Sequence, residues 1–408
     1  MDYGPSYLRR KLAEKKTRVD MRYRYYEMKN GVEDASALIP DGYRWLAHAL
    51  GWCAKAVDSV ADRIVFDGFA DDPFRLGEIY RLNNADILPG SAVLSALISS
   101  CSFLYLRPGA DGYPVIECID GGSATGIIDP STQLLTEGYA VLERDKHHRP
   151  TLEAYFQPGV TWYFRSGRLD ETLTVRHPAP YPLLVPVVHR PDARRPFGHS
   201  RITRACISVM QSTLRTLRRS EISAEFYSIP QKYALGIEPN ARFDREKATY
   251  SSFLVLGRDR NGNAPQVGQF QQQSMTPFIE QMRMLASLFA AETGLTLDDL
   301  GFSTDNPSSY DAIRASHESL RLSARRAQQT FGTGLLNAGY LAACLRDEFS
   351  FDRKAFAQTE VLWAPLFEPD GAALGALGDA VLKLDQASEG FIGAENLRRL
   401  TGLRSDAG

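Results

Sequence analysis

GLTLDDLGFSTDNPSSYDAIRASHESLRLSARRAQQ, from Gly294 to Gln329, splits its charge in two. The first part holds Asp298, Asp299, Asp305 and Asp311 with no lysine or arginine; the second holds Arg314, Arg321, Arg325 and Arg326. Gly294 is a helix stop, and Asn306-Pro307 is a helix start, since proline at a first helical position forgoes no hydrogen bond. From there Ile313, Leu320, Ala324, Ala327 and Phe331 recur at helical spacing. The helical signal runs to about Arg346, with Gly332, Gly334 and Gly339 as expected kinks. An acidic irregular loop thus stands directly before a long basic helix.

Working outward, a second helix precedes the loop. It opens at Thr276-Pro277 and carries Phe278, Met282, Leu285 and Phe289 on its apolar face. Before it, residues 227–273 change character. QKYALGI and SFLVLG read as strands, and Asn261-Gly262 is a strong hairpin signal. This insertion is too small to own a core. Upstream again, FGHSRITRACISVMQSTLRTLRRSEISAEFYSIP predicts a long helix, with Ser200 as N-cap and Pro230 as terminator. Ile202, Cys206, Val209, Thr213 and Leu217 form its stripe.

Between about Phe103 and Val188 the signal is strand: SFLYLRP, YPVIECID, YAVLERD, TLEAYFQP, TWYFRSG and ETLTVRH are separated by Gly, Pro or Asp turns. Strands bunched between helical blocks argue for an α+β fold with antiparallel pairing. Further helices are predicted from Leu46 through Ile64 and over Phe74–Asn84, and residues Tyr7 to Lys29 read as a solvated basic helix. The tail offers a strand in TEVLWAPLFEP, a short helix near Gly371 to Gln386 and an amphipathic piece from Ala394 to Leu400.

Bulk properties narrow the function classes. The 408 residues suffice for a sizeable core, 44% hydrophobic and 24% charged content is globular, and net charge −2 argues against a surface that grips nucleic acid throughout. Cys53, Cys101, Cys118, Cys206 and Cys344 are scattered with no CxxC pair, which fits a reducing compartment and no zinc site. The charged N-terminal residues and the short, serine-broken apolar run Ala92–Leu106 predict neither a secretory signal nor a membrane span.

Catalytic motifs are missing. GGSATG (Gly121 to Gly126) lacks the P-loop lysine and reads as a plain turn. His147, His148 and His177 have no ligand-spaced partners, and no GxSxG occurs. An enzyme is therefore not expected, nor a cofactor or metal. The arginines are less ordinary: Arg190, Arg194, Arg195, Arg201, Arg204, Arg215, Arg218 and Arg219 occur with no lysine and a single acid, Asp192. Guanidinium forks suit carboxylate or phosphate pairing at an interface.

Three stretches together carry a resemblance: ADRIVFDGF, RRPFGHSRITRACISVMQSTLRTLRRSEISAEFYSIPQKYALG and GLTLDDLGFSTDNPSSYDAIRASHESL. In their order the chain resembles the portal proteins of tailed bacteriophages, in the branch of long-tailed phages and prophages of Gram-positive bacteria, from about residue 20 to 370. The resemblance implies a non-enzymatic homo-oligomeric ring, usually of twelve subunits, at one capsid vertex, through which double-stranded DNA enters and leaves. It implies a wing over residues 1–198 and 307–370, stem helices over 199–226 and 274–294, a clip over 227–273, a tunnel loop over 295–306 and a short helical crown over 371–408. Partners implied are the large terminase, a head–tail adaptor, the major capsid protein and scaffold, with location in the virion and, during assembly, the host cytoplasm.

On that footing Leu297, Asp298, Asp299, Asp305 and Asn306 would face the DNA. Arg194, Arg195, Arg201, Arg204, Arg215, Arg218, Arg219, Arg314, Arg321 and Arg325 would serve contacts between subunits. Tyr233, Asp259, Arg260, Asn261 and Gly262 would dock the motor and adaptors. The physical sense is that cations on a bore would bind phosphates tightly, whereas acids keep a polyanion hydrated and sliding. The competing reading is a sequence-nonspecific nucleic-acid-binding protein that uses Arg190 to Arg219 directly.

Overall fold

The computed structural model describes residues 3–32, 46, 48–109, 112–228, 232–236, 262–269, 274–302, 310–366, 371–388, 392–393 and 397. Every strand pairing among them is antiparallel, in an α+β fold.

The N-terminal half is layered. Helix α1 (Gly4–Tyr26) is followed by α2 (Trp52–Ala61), β1 (Phe66–Ala70), α3 (Leu76–Leu82) and α4 (Leu88–Ser99). Strands β2 (Cys101–Pro108) and β3 (Pro114–Ile119) join β10 (Leu184–Val188) in a sheet of order β10-β2-β3. Strands β4 (Ala124–Ile128), β5 (Leu135–Arg144), β6 (Pro150–Gln157), β7 (Val160–Arg165) and β8 (Arg168–Leu169) pair in sequence order, and β9 (Val175–Arg176) adds to β7. ETLTVRH is thus a 3-10 turn plus the two-residue β9. Pro186 is tolerated in β10 because that strand is an edge and lacks a partner for one row of amides.

Helix α1 is more than the solvated helix its composition suggests. Leu8, Leu12, Val19 and Tyr25 are buried. Its first amides, Tyr3 and Gly4 N–H, donate to the Glu137 carboxylate at 2.8 and 3.0 Å, an acid placed at the positive end of a helix. Arg9 forks onto Glu153 at 3.1 and 3.0 Å. Lys15 and Lys11 donate to the outward carbonyls of Ala124 and Gly126, at 2.9 and 2.8 Å, closing the free edge of β4. The basic residues hold the helix down instead of merely solvating it.

The C-terminal half supplies α5 (Arg204–Ser228), a ribbon of β11 (Lys232–Leu235) and β12 (Gln266–Gln269), then α6 (Thr276–Thr293). After the acidic turn come α7 (Tyr310–Ser316), α8 (Glu318–Arg346), β13 (Glu360–Trp363), which pairs with β1, and α9 (Gly371–Ala387). Helix α8 runs through the main core, burying Leu320, Ala324, Ala327, Phe331, Leu335 and Leu341. It is continuous through Gly332, Gly334 and Gly339; the interruption lies at His317 instead. Gly334 and Gly339 are packing positions: a Cβ on Gly334 would sit 3.0 Å from the Pro186 carbonyl, and one on Gly339 2.9 Å from Leu76 Cδ1. Ile313, expected in the buried stripe, is exposed on α7.

Candidate functional site

Helices α5 and α6 lie side by side, and residues 203–206 and 289–302 anchor them to the body. The Thr203 hydroxyl accepts from the Cys206 N–H at 3.2 Å, so Thr203, not Ser200, caps α5. The same hydroxyl donates to Glu292 on α6 at 2.8 Å. Ser200 acts as a bolt: its hydroxyl donates to the Ile98 carbonyl at the end of α4 and accepts from the Ile202 N–H at 2.9 Å. On α6, Leu285 and Phe289 are buried and Phe278 and Met282 half-buried, the apolar face read from the spacing. Trp52 packs on Phe289 and Phe302, with ring centroids 5.6 and 6.4 Å apart. The other side of α6 exposes Met284 and Leu288.

The arginines divide into two groups. Arg201 and Arg218, expected to meet a neighbouring copy, are buried within their own chain. Arg201 donates to the Ala56 carbonyl at 3.1 Å and to the Thr293 carbonyl, placing a cation on the negative end of α6. Burial lowers its pKa to about 10. Arg218 sends two N–H groups to the Leu46 carbonyl at 3.0 and 2.8 Å. Both guanidiniums satisfy carbonyls that a buried chain cannot leave bare. Arg321 pairs with Glu318 one turn away, at 2.6 Å. Arg215 donates to the Ser212 hydroxyl at 2.9 Å. Arg194, Arg195, Arg204, Arg219, Arg314 and Arg325 are exposed. Asp192 organises the first two: it accepts both their backbone N–H groups, at 2.8 and 2.7 Å, and its 2.6 Å contact with His199 holds its carboxyl below the usual range.

The acidic stretch also departs from expectation. Residues 295–302 are packed on their own chain: Leu295 and Leu300 are buried, and Leu297 and Phe302 lie against the same core. Asp299 accepts from the Thr296 N–H and hydroxyl, both at 2.9 Å, and lies 3.3 Å from His317 Nε2. Burial alone would raise its carboxyl, but the Thr296 hydrogen bonds and the charges of His317 and Lys55 outweigh that and lower it. Asp299 therefore shapes the turn, whereas Asp298 is exposed. Asp305 and Asn306 lie outside the described residues. Composition revealed the acids, and Thr296 three residues before Asp299 is a local capping spacing; the role of His317 needed the fold, because it meets Asp299 from the far side of the segment between α6 and α8.

In the ribbon, Lys232 pairs with Gln269 and Leu235 with Gln266. Tyr233 lies across Gly268, where a Cβ would collide with its ring. Leu235 and Val267, on opposite faces, are 58% and 59% exposed, too open for a ribbon stable alone. Gly262 is in the left-handed region at φ 84°, and Asp259, Arg260 and Asn261 lie outside the described residues.

Among the described residues, no group of three or more His, Cys, Asp or Glu is arranged to hold a metal ion, and no helix is long and apolar enough to cross a membrane. The five cysteines are free thiols.

No protein-family model matches the chain. It is 25% identical over 395 residues to the portal protein of Mycobacterium phage L5, covering 92% of this chain and 80% of that protein. It is 25% identical over 399 residues to the portal protein of Mycobacterium phage D29, covering 93% and 81%. Among solved structures it is similar to a chain in the virion of a native gene transfer agent particle, at 14% identity and TM-score 0.44, covering 86% of this chain and 90% of that one. It is also similar to an HK97 family phage portal protein from Corynebacterium diphtheriae, at 10% identity and TM-score 0.32, covering 80% and 94%.

Proposed function

We propose that this chain is a phage portal subunit, whose copies close into a ring at one capsid vertex and form the channel for double-stranded DNA during packaging and ejection. The observation that carries the reading is the similarity to two portal proteins along nearly the whole chain. The shape of the molecule supports it. The adjacent helices α5 and α6 flank a β ribbon whose Leu235 and Val267 side chains lack a core among the described residues. Covering Leu235 or Val267 with a neighbour would stabilise by about 1–2 kcal/mol each if burial were complete, since each is already partly covered. A closed ring lets each copy offer one face to each neighbour and share strands.

The finer parts belong to the same proposal. The ring has twelve subunits. The wing, stem, clip, tunnel loop and crown follow the residue ranges given above. The clip docks the large terminase and later the head–tail adaptor, and the body meets the major capsid protein and scaffold. The exposed arginines, Arg204 and Arg219 among them, reach acids on the next copy. Asp298 together with residues 303–306 faces the DNA; Asp299 is the internal support of that turn.

Negative-stain images of the purified full chain test this. Rings are expected from the wild type, and Leu235→Asp with Val267→Asp should abolish them while far-ultraviolet circular dichroism stays unchanged. A wild-type chain that remains monomeric at every salt and protein concentration would overturn the assignment.

A further inference from the structure

On the body, away from the helix pair, a cleft of about 490 Å³ opens between α1 and residues 195–198. Helix α1 lines it with Lys11, Lys15, Arg18 and Arg22, at successive spacings of four, three and four, so that one helix face supplies four cations. Arg195 adds a fifth from the opposite wall, and Glu14 is the one carboxylate among the lining residues. Among the described residues, none of the five cations forms an ion pair. Lys11, Lys15 and Arg22 donate to the Gly126, Ala124 and Ser99 carbonyls at 2.8, 2.9 and 2.9 Å, and Arg195 lies 3.4 Å from His199 Nδ1. Burial, then the charge of Lys15, holds Lys11 below its usual range; burial, then Arg18, does the same for Arg22. Five like charges have thus been gathered, and two of them partly desolvated, against a single lining carboxylate with which none of them pairs.

Thr125 is an independent sign. It lines the same cleft, is 1% exposed, and its hydroxyl has no hydrogen-bond partner. Its chain neighbours Ala124 and Gly126 are the residues whose carbonyls take Lys15 and Lys11, so Thr125 sits between the two ammonium contacts on β4. Buried hydroxyls are ordinarily satisfied, and one left open in a cationic cleft fits an acceptor supplied from outside.

We propose that this cleft is an anion site that takes a phosphate group, with the Thr125 hydroxyl as hydrogen-bond donor and Lys11, Lys15, Arg18, Arg22 and Arg195 supplying the charge. Phosphate is favoured because it offers several strong acceptor oxygens and more than one negative charge, which matches a hydroxyl donor, point-charge lysines and forked arginines. The phosphate belongs either to a small free compound or to a single polynucleotide strand. The site is separate from the channel assignment and stands without it.

Calorimetric titration of the full chain with pyrophosphate, and separately with a short single-stranded oligodeoxynucleotide, tests the site. Saturable binding of pyrophosphate, one per chain, is expected. Arg18→Gln, an exposed position, should weaken it about tenfold, and Thr125→Val, which removes a hydroxyl with no partner, should weaken it several-fold. Oligonucleotide that competes with pyrophosphate and weakens in the same variants supports the site with nucleic acid as its source. Pyrophosphate binding alone supports it with a small compound. No saturable pyrophosphate binding, or binding indifferent to both substitutions in folded protein, overturns the proposal.

Discussion

Arg201 and Arg218 turn their guanidinium groups inward, and the consequence is a test of stability instead of assembly. Arg201→Met would leave the buried Ala56 and Thr293 carbonyls without their donor. The expected loss is about 2–4 kcal/mol in denaturant-monitored unfolding, with Arg201→Lys recovering part of it. Histidines set a second expectation. Burial lowers His189 to about 3 and His177 to about 4. Between those values and the unfolded histidine range near pH 6.5 the unfolded chain binds more protons, so stability rises with pH there and falls on acidification. Unfolding midpoints measured from pH 7 down to pH 4 should fall, and less steeply in a folded His177→Gln variant. Asp299 acts in the same sense: its lowered carboxyl contributes stability that is lost as pH falls through its folded value.

Helix α8 shows how one residue type serves two ends. Gly334 lies against the backbone of β10, whereas Gly332 has nothing nearer its absent Cβ than Val361 at 3.6 Å. Gly334→Ala should therefore destabilise by about 1–3 kcal/mol through overpacking against the Pro186 carbonyl. Gly332→Ala should stabilise by about 0.5–1 kcal/mol through helix propensity. Thermal unfolding of the two variants reads the opposite signs directly. At the same scale, the sequence made α5, α6 and α8 legible because each keeps an apolar stripe at helical spacing over many turns. Helix α2 came out shorter than its pattern, since Leu50 and Ile64 continue the spacing outside Trp52–Ala61. Strand β4 and the pairing of β1 with β13 left no local mark, because ATGII is small and glycine-bearing and the β1 partner lies some three hundred residues away.

For the whole molecule the charge layout is the central matter. A passage for a polyanion works only if its lining does not bind phosphates, because each cationic contact adds salt-sensitive affinity. Asp298→Lys should leave ring formation intact and slow DNA packaging, measured as nuclease-protected DNA in an assembly reaction. Normal packaging in that variant would remove the electrostatic account. Asp299→Lys is a poorer probe, since it would break the Thr296 and His317 contacts that shape the turn.

The sequence by itself determined the α+β class, the antiparallel sheets, the paired helices flanking a small β insertion and the segregation of acids from arginines. These follow from local periodicity, turn chemistry and composition, which each segment carries on its own. Only the tertiary structure decided which charges are used internally. A guanidinium or carboxylate becomes a buried clamp or an exposed contact according to the backbone carbonyl or amide brought to it from a distant segment. Arg201 meeting Thr293, Arg218 meeting Leu46 and α1 lysines meeting the edge of β4 are encounters that no local pattern encodes.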